Sequence, residues 1–242
     1  MYIKKCRMNT ATAPLSLEQQ PIGQIAVDLP GATAIFRRHK LDFCCGGQVS
    51  LQRACTDKGL DTGTVLAELA GLRRENRAPD ERDTAALVEH ILTRYHAVHR
   101  EQLPELIRMA RRVEAVHRDH PAVPAGLADL LEGMEAELLD HMAKEEQVLF
   151  PAMARAMPGV AGPIGAMRDE HTGHGALLDH LATLTTDHTP PPGACNTWRA
   201  LYAGTAQLND DLINHIHLEN NVLFPRFETA TAGCGGDDGC CA

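Results

Sequence analysis

His141-Met-Ala-Lys-Glu145-Glu-Gln-Val-Leu-Phe-Pro151 has a near copy later in the chain, His215-Ile-His-Leu-Glu219-Asn-Asn-Val-Leu-Phe-Pro225. Each copy sets a His and a Glu four residues apart, and on a helix that spacing stacks the two side chains on one face. The histidines upstream are duplicated too: His96 and His171 lie 75 positions apart, His141 and His215 lie 74 apart. A half made of a His, a long gap and a His-x3-Glu thus occurs twice. A doubled pairing of metal-ligand type points to a two-metal site.

The flanking residues show where these side chains go. One segment carries Val88, Leu92, His96, His99, Leu103 and Ile107 on a single stripe, and a second carries Leu127, Leu131, Met134, Leu138, His141, Glu145 and Val148. A third runs Ile164, Met167, His171, His174, Leu178, Leu181, and a fourth runs Leu201, Thr205, Leu208, Leu212, His215, Glu219, Val222. All four keep helical spacing. The connections His117-Arg-Asp-His-Pro-Ala-Val-Pro124 and His188-Thr-Pro-Pro-Pro-Gly193 are short and proline-rich, so neighbouring helices run antiparallel, and Pro104 is expected to kink the first segment or start a new turn. An up-down-up-down four-helix bundle follows, with its site in the core.

Composition agrees with an all-α protein. Aromatic residues are only 4% against 44% hydrophobic, and runs of β-branched residues with period-two alternation are missing. A net charge of −9 excludes a nucleic-acid binder held by phosphate contacts. Neither a long apolar stretch nor a signal-peptide core is visible, which predicts a cytoplasmic protein without membrane contact. The eight cysteines cluster at Cys44-Cys45 and at Cys234, Cys240 and Cys241 rather than spreading out as staples, so reactive or metal-handling thiols fit better than a disulfide framework.

Punctuation divides the chain into a disordered leader (1–15), a small helical domain (16–75), a linker (76–82), the bundle (83–228) and a flexible Cys/Gly-rich tail (229–242). In the small domain Pro30 is expected to open one helix and Asp61 to cap another. Cys44 and Cys45 precede Gly46-Gly47 and a helix start at Gln48-Val-Ser50; a thiol near a helix N-terminus has a lowered pKa and is the form that ligates metal or exchanges disulfides. Cys55 and Cys195 are packing residues on this reading.

Packing the apolar stripes drags His141, Glu145, His215 and Glu219 inside. An ionised carboxylate buried without a partner costs several kcal/mol, so two of them among several imidazoles need a cation; pairing with Arg or Lys at a stripe edge is the competing explanation, which the duplication disfavours. Imidazole and carboxylate ligands without thiolates favour iron or manganese over structural zinc. Whether His96 and His141 share one metal or serve two is left open by the spacing, as is the part played by His99 and His174, one turn beyond His96 and His171.

The order His-x3-Glu, rather than Glu-x-x-His, resembles the hemerythrin-like bundles. Asp42-Phe-Cys44-Cys45-Gly46-Gly47 is similar to the N-terminal signature of the iron-sulfur cluster repair di-iron proteins, the RIC family of the ScdA and YtfE type, and so are Arg94-Tyr-His96, Arg100-Glu-Gln-Leu-Pro-Glu-Leu106, Pro190-Pro-Pro192 and Leu218-Glu-Asn-Asn-Val-Leu-Phe-Pro225. The resemblance spans about residues 20–228. It implies a non-haem centre of two iron ions, oxo- and carboxylate-bridged, with His96, His141, Glu145, His171, His215 and Glu219 as ligands and the two glutamates as bridges. It also implies repair of clusters damaged by nitrosative or oxidative stress, by iron donation or redox chemistry, with Cys44 and Cys45 engaging the client. Implied partners are damaged iron-sulfur proteins or their assembly scaffolds and small diatomic ligands, nitric oxide and oxygen; a homodimer is compatible. The alternatives are a nitric oxide or oxygen buffer or sensor, and a nitric oxide reducing enzyme. His99 and His174 are read as packing or ligand-orienting groups, Glu137 and Glu170 as solvated helix carboxylates with a proton or iron relay as the alternative, and His217 as exposed off the stripe. The tail departs from the family pattern, with metal capture and an inert tail as competing readings.

Overall fold

A computed structural model of the chain describes residues 16–29, 32–72 and 83–228. The expectations for the leader, Pro30, the linker and the tail with Cys234, Cys240 and Cys241 lie outside the described residues. Within them all regular structure is helical, with one isolated bridge between Pro21 and Ser50. No described helix is long and apolar enough to cross a membrane.

A 3-10 turn at Leu17–Gln19 leads into α1 (Ile22–Asp28), α2 (Ala32–Arg38), α3 (Leu51–Asp57) and α4 (Thr62–Ala70). Capping fixes where the last two begin: the Ser50 hydroxyl accepts from the Arg53 amide at 3.2 Å and the Asp61 carboxylate from the Thr64 amide at 2.9 Å, each cap contributing about 1 kcal/mol. Ile22, Ile25, Phe36, Phe43, Leu51 and Val65 close a core of their own.

The larger part begins with α5 (Thr84–Ile91), which passes through a π turn (Leu92–His96) into α6 (Ala97–Val116). Next come α7 (Leu127–Lys144), a π turn (Glu145–Leu149) and α8 (Phe150–Ala154). α9 (Ala161–Leu184) follows, then α10 (Asn196–Leu218), a π turn (Glu219–Leu223) and α11 (Pro225–Glu228). α6 packs on α7 and α10, and α9 on α7 and α10, which closes the four-helix bundle.

Two apolar clusters fill it. Leu103, Leu138, Leu178 and Leu212 belong to the larger one, and Ile91, Leu149, Met167 and Leu223 to the smaller one. Along every helix the ligand-type residues fall between a member of one cluster and a member of the other. The polar site is therefore a layer sealed above and below by hydrocarbon.

Two details differ from the sequence expectation. Pro104 lies inside α6 without starting a new helix, and the first segment also carries a π turn at Leu92–His96. Val148 is 61% exposed and Val222 only half-buried, while Leu149, Phe150, Leu223 and Phe224 are buried. A π turn holds one residue more than an α turn, so it rotates the following face by about 100°, and a uniform helical period misplaces everything after Glu145 and Glu219.

Candidate metal centre

Each π turn begins or ends on a ligand-type residue: His96 ends the first, and Glu145 and Glu219 begin the others. The wide turns are closed by bonds such as Phe224 N–H to the Glu219 carbonyl at 2.8 Å. All six sequence-predicted side chains come together in the layer between the apolar clusters, and none is more than 1% exposed. They form two groups, His96 with His215 and His141 with His171, and both groups contain Glu145 and Glu219; within each group one donor atom per residue lies within 4.8 Å of the others. His96 and His141 thus belong to different groups, which the spacing could not decide.

The rings are aimed. His96 Nε2 and His215 Nε2 face each other at 3.1 Å, as do His141 Nε2 and His171 Nε2. On the far side of three rings a fixed acceptor takes the Nδ1 proton: Glu146 Oε1 at 2.8 Å from His96, Glu170 Oε2 at 2.8 Å from His141 and Asn220 Oδ1 at 2.9 Å from His171. Each contact selects the tautomer whose Nε2 lone pair points inward, the arrangement that orients imidazole toward a metal. His215 is the exception: its Nδ1 has no hydrogen-bond partner, and its ring stacks on Tyr95 at 5.4 Å.

The doubled halves explain these partners. Glu146 and Asn220 each follow a glutamate of the site, and each serves a histidine on another helix. Glu170 precedes His171 and holds His141, whereas Tyr95, which precedes His96, gives His215 a ring face. Sequence reasoning assigned no role to Glu146 or Asn220, and it favoured a solvated Glu170. For Glu146 and Asn220 the signal was available in the polar residue that follows the repeated glutamate in both copies. Glu137 is exposed.

The electrostatics call for positive charge. Burial and the neighbouring Glu219 raise Glu145 well above the carboxylate range, and neither of its oxygens has a hydrogen-bond partner. Burial also opposes ionisation of Glu219, but His215, His171 and His96 outweigh it and hold this carboxyl well below its usual range. His96 is lowered by burial, yet Glu145 and Glu219 lift it to about 10. Without a cation the layer must protonate an imidazole and a carboxyl to remain buried. Orphaned carboxylate oxygens opposite inward-facing Nε2 lone pairs fit bound metal ions, and the nitrogen and oxygen donors suit iron.

The small domain docks beside this layer. Asn220 Nδ2 donates to the Cys44 carbonyl at 3.3 Å while its Oδ1 holds His171, and Asn221 Nδ2 donates to the Phe43 and Cys44 carbonyls at 3.3 and 3.2 Å. Cys45 Sγ lies 3.5 Å from the His171 carbonyl and 3.8 Å from Cys44 Sγ. The helix start expected after the thiols at Gln48-Val-Ser50 is borne out: α3 begins at Leu51 behind its Ser50 cap, whose hydroxyl accepts from the Arg53 amide. The two sulfurs differ for another reason. The Cys44 thiol donates toward Cys45; this contact, with burial adding to it, raises Cys44, while at Cys45 the same contact outweighs burial and lowers the pKa. Cys55 is buried in the small domain's core, and Cys195 is within 3.2 Å of His117 Nε2.

His217, expected to be exposed, is 4% exposed. Sequence periodicity placed it off the bundle's stripe, but Phe43 covers that face of α10, edge-on at 5.1 Å. Its Nδ1 accepts from Asn221 Nδ2 at 3.1 Å, and burial lowers its pKa to about 4. As pH falls the unfolded chain, with an ordinary histidine near 6.5, takes up the proton first. The stability contributed by neutral His217 is thus complete above pH about 6.5 and is lost toward pH 4, about 3 kcal/mol in all. Between pH 7 and 4 the wild type is expected to lose that much more stability than His217→Gln in urea unfolding. Equal losses would refute this account.

A centre of buried His and Glu inside a helical bundle defines a class, the cation-binding bundles. Residues 87–227 match the family model of the hemerythrin HHE cation binding domain, and residues 18–73 match the ScdA_N model, a domain of unknown function. The iron-sulfur cluster repair protein YtfE of Cronobacter sakazakii is 50% identical over 218 residues, covering 88% of this chain and 97% of that protein. Proteins of the same name from Citrobacter koseri and Escherichia coli O157:H7 are each 48% identical over 215 residues, covering 88% of this chain and 98% of theirs. The chain belongs to the hemerythrin HHE family, among members that join this bundle to a ScdA_N domain.

Proposed function

We propose that the protein is a non-haem di-iron protein that repairs iron-sulfur clusters damaged by nitrosative or oxidative stress. The observation that carries this reading is the sharing of Glu145 and Glu219 between two buried His pairs, in a chain whose relatives bear the repair name over nearly their whole length. His96 and His215 would hold one iron, His141 and His171 the other, and the two glutamates would bridge them. Iron bound there supplies a one-electron couple and exchangeable coordination positions. The protein's own residues do the rest. Glu146, Glu170 and Asn220 hold the imidazoles in the ligating tautomer, the two apolar clusters keep bulk water from the layer, and Lys144, 2.6 Å from Glu170 Oε1, neutralises the carboxylate behind His141.

Cys44 and Cys45 would meet the client beside the bundle. Cys45, the more acidic thiol, would engage the iron or sulfide of the damaged cluster, and Asn220 ties its loop to His171. The test is restoration of a nitrosylated cluster enzyme by the iron-loaded protein. Wild type is expected to restore activity, and the double variant Cys44→Ala, Cys45→Ala to lose most of it at unchanged iron content. Absence of restoration by the wild type would overturn the function; full restoration by the double variant would remove the thiols from it.

A further inference from the structure

His99 and His174 are left over from the site just described. They occupy the same place in the two halves, three residues after His96 and His171, one turn nearer the larger apolar cluster. They are 0% and 3% exposed. Both nitrogens of His99 and Nδ1 of His174 have no hydrogen-bond partner among the described residues. Burying an imidazole N–H or lone pair without a partner costs about 1–3 kcal/mol, and buried polar groups are almost always satisfied. A pair of packing residues at these positions would be leucines, as Leu103 and Leu178 are one turn further on. The rings also keep to one group each: His99 lies 5.4 Å from the His215 ring, and His174 lies 4.9 Å from His141 and 6.3 Å from His171. Neither belongs to a ligand group.

We propose that His99 and His174 are positioning residues, each donating an N–H to a small linear hydrogen-bond acceptor of two or three atoms held on the core-facing side of its own group. One unsatisfied nitrogen of each ring then acquires a partner when such a ligand enters. The imidazoles also set which end of the ligand faces the metals. The proposal rests on the di-iron reading, and the test separates the two.

Azide serves as the probe, titrated into the iron-loaded, oxidised full chain, with iron per chain measured beforehand and binding read from the azide-to-iron charge-transfer absorption. His99→Leu and His174→Leu are expected to keep the wild-type iron content, to shift that absorption and to weaken azide about tenfold each, the equivalent of one hydrogen bond. His99→Gln, which restores an N–H donor, is expected to recover most of the affinity. Unchanged affinity and absorption in both leucine variants at full iron would overturn the proposal and leave the di-iron reading intact. Loss of iron in those variants would overturn it as well, since that marks ligands rather than donors. A wild type without iron would remove the di-iron reading and this inference together.

Discussion

Glu219→Gln is expected to strip the protein of both metals in a single step. The substitution keeps shape and removes charge, and Glu219 belongs to both ligand groups. In the wild type its Oε1 is 3.0 Å from His215 Nε2 and its Oε2 is 3.1 Å from His171 Nε2, so one side chain reaches a histidine of each group. His96→Ala removes a ligand from one group only and is expected to leave the His141 and His171 group with its metal. A ligand present at a thousandfold excess over its dissociation constant stabilises the folded state by about 4 kcal/mol. At this chain length, loss of that stabilisation lowers the melting temperature by on the order of 10 °C. Iron determination beside calorimetry of the two variants checks both parts. A Glu219→Gln protein with a full complement of iron and an unchanged melting temperature would contradict the shared carboxylate.

The second large effect is expected from Gly47→Ala, a position outside both ligand groups. A methyl group there would lie 2.5 Å from the Phe43 carbonyl oxygen and 3.0 Å from Gly23 Cα, both of them backbone that cannot rotate away. Gly23 N–H donates to the Gly47 carbonyl at 2.8 Å, so the clash falls on the joint between α1 and the thiol turn. Overpacking of this kind costs typically 1–3 kcal/mol. Here it should also loosen the Phe43 and Cys44 carbonyls from Asn221 and carry Cys45 away from His171. Alkylation of Cys45 by iodoacetamide is expected to become several times faster while iron content stays at the wild-type level. An unchanged alkylation rate and unchanged stability would show that the turn tolerates the methyl group.

Much of this was legible in the sequence, and the gaps have physical causes. The six His and Glu residues of the buried layer were visible because a helix imposes a period, and polar residues on an apolar stripe break it in the same way twice. The period then failed at Val148 and Val222, because the π turns opening on Glu145 and Glu219 insert a residue that no hydrophobic pattern announces. Pairing of His96 with His215 depends on how four helices are arranged about an axis. Sequence spacing along a single helix carries no such information. Glu146 and Asn220 drew no role and Glu170 was read as a solvated carboxylate, since each is judged polar on its own helix while its partner ring comes from a neighbour. His217 was misplaced for the converse reason: its exposure is set by the small domain, which covers a face that the bundle alone would leave open. The difference in acidity between Cys44 and Cys45 arises from the contact of two adjacent sulfurs and not from a helix end.

Iron analysis combined with Mössbauer spectroscopy on the purified full chain tests the central claim most directly. Two irons per chain, whose spins couple through shared carboxylates, are the expected result. One iron per chain, or two that behave as magnetically isolated ions, would contradict a centre in which Glu145 and Glu219 serve both groups.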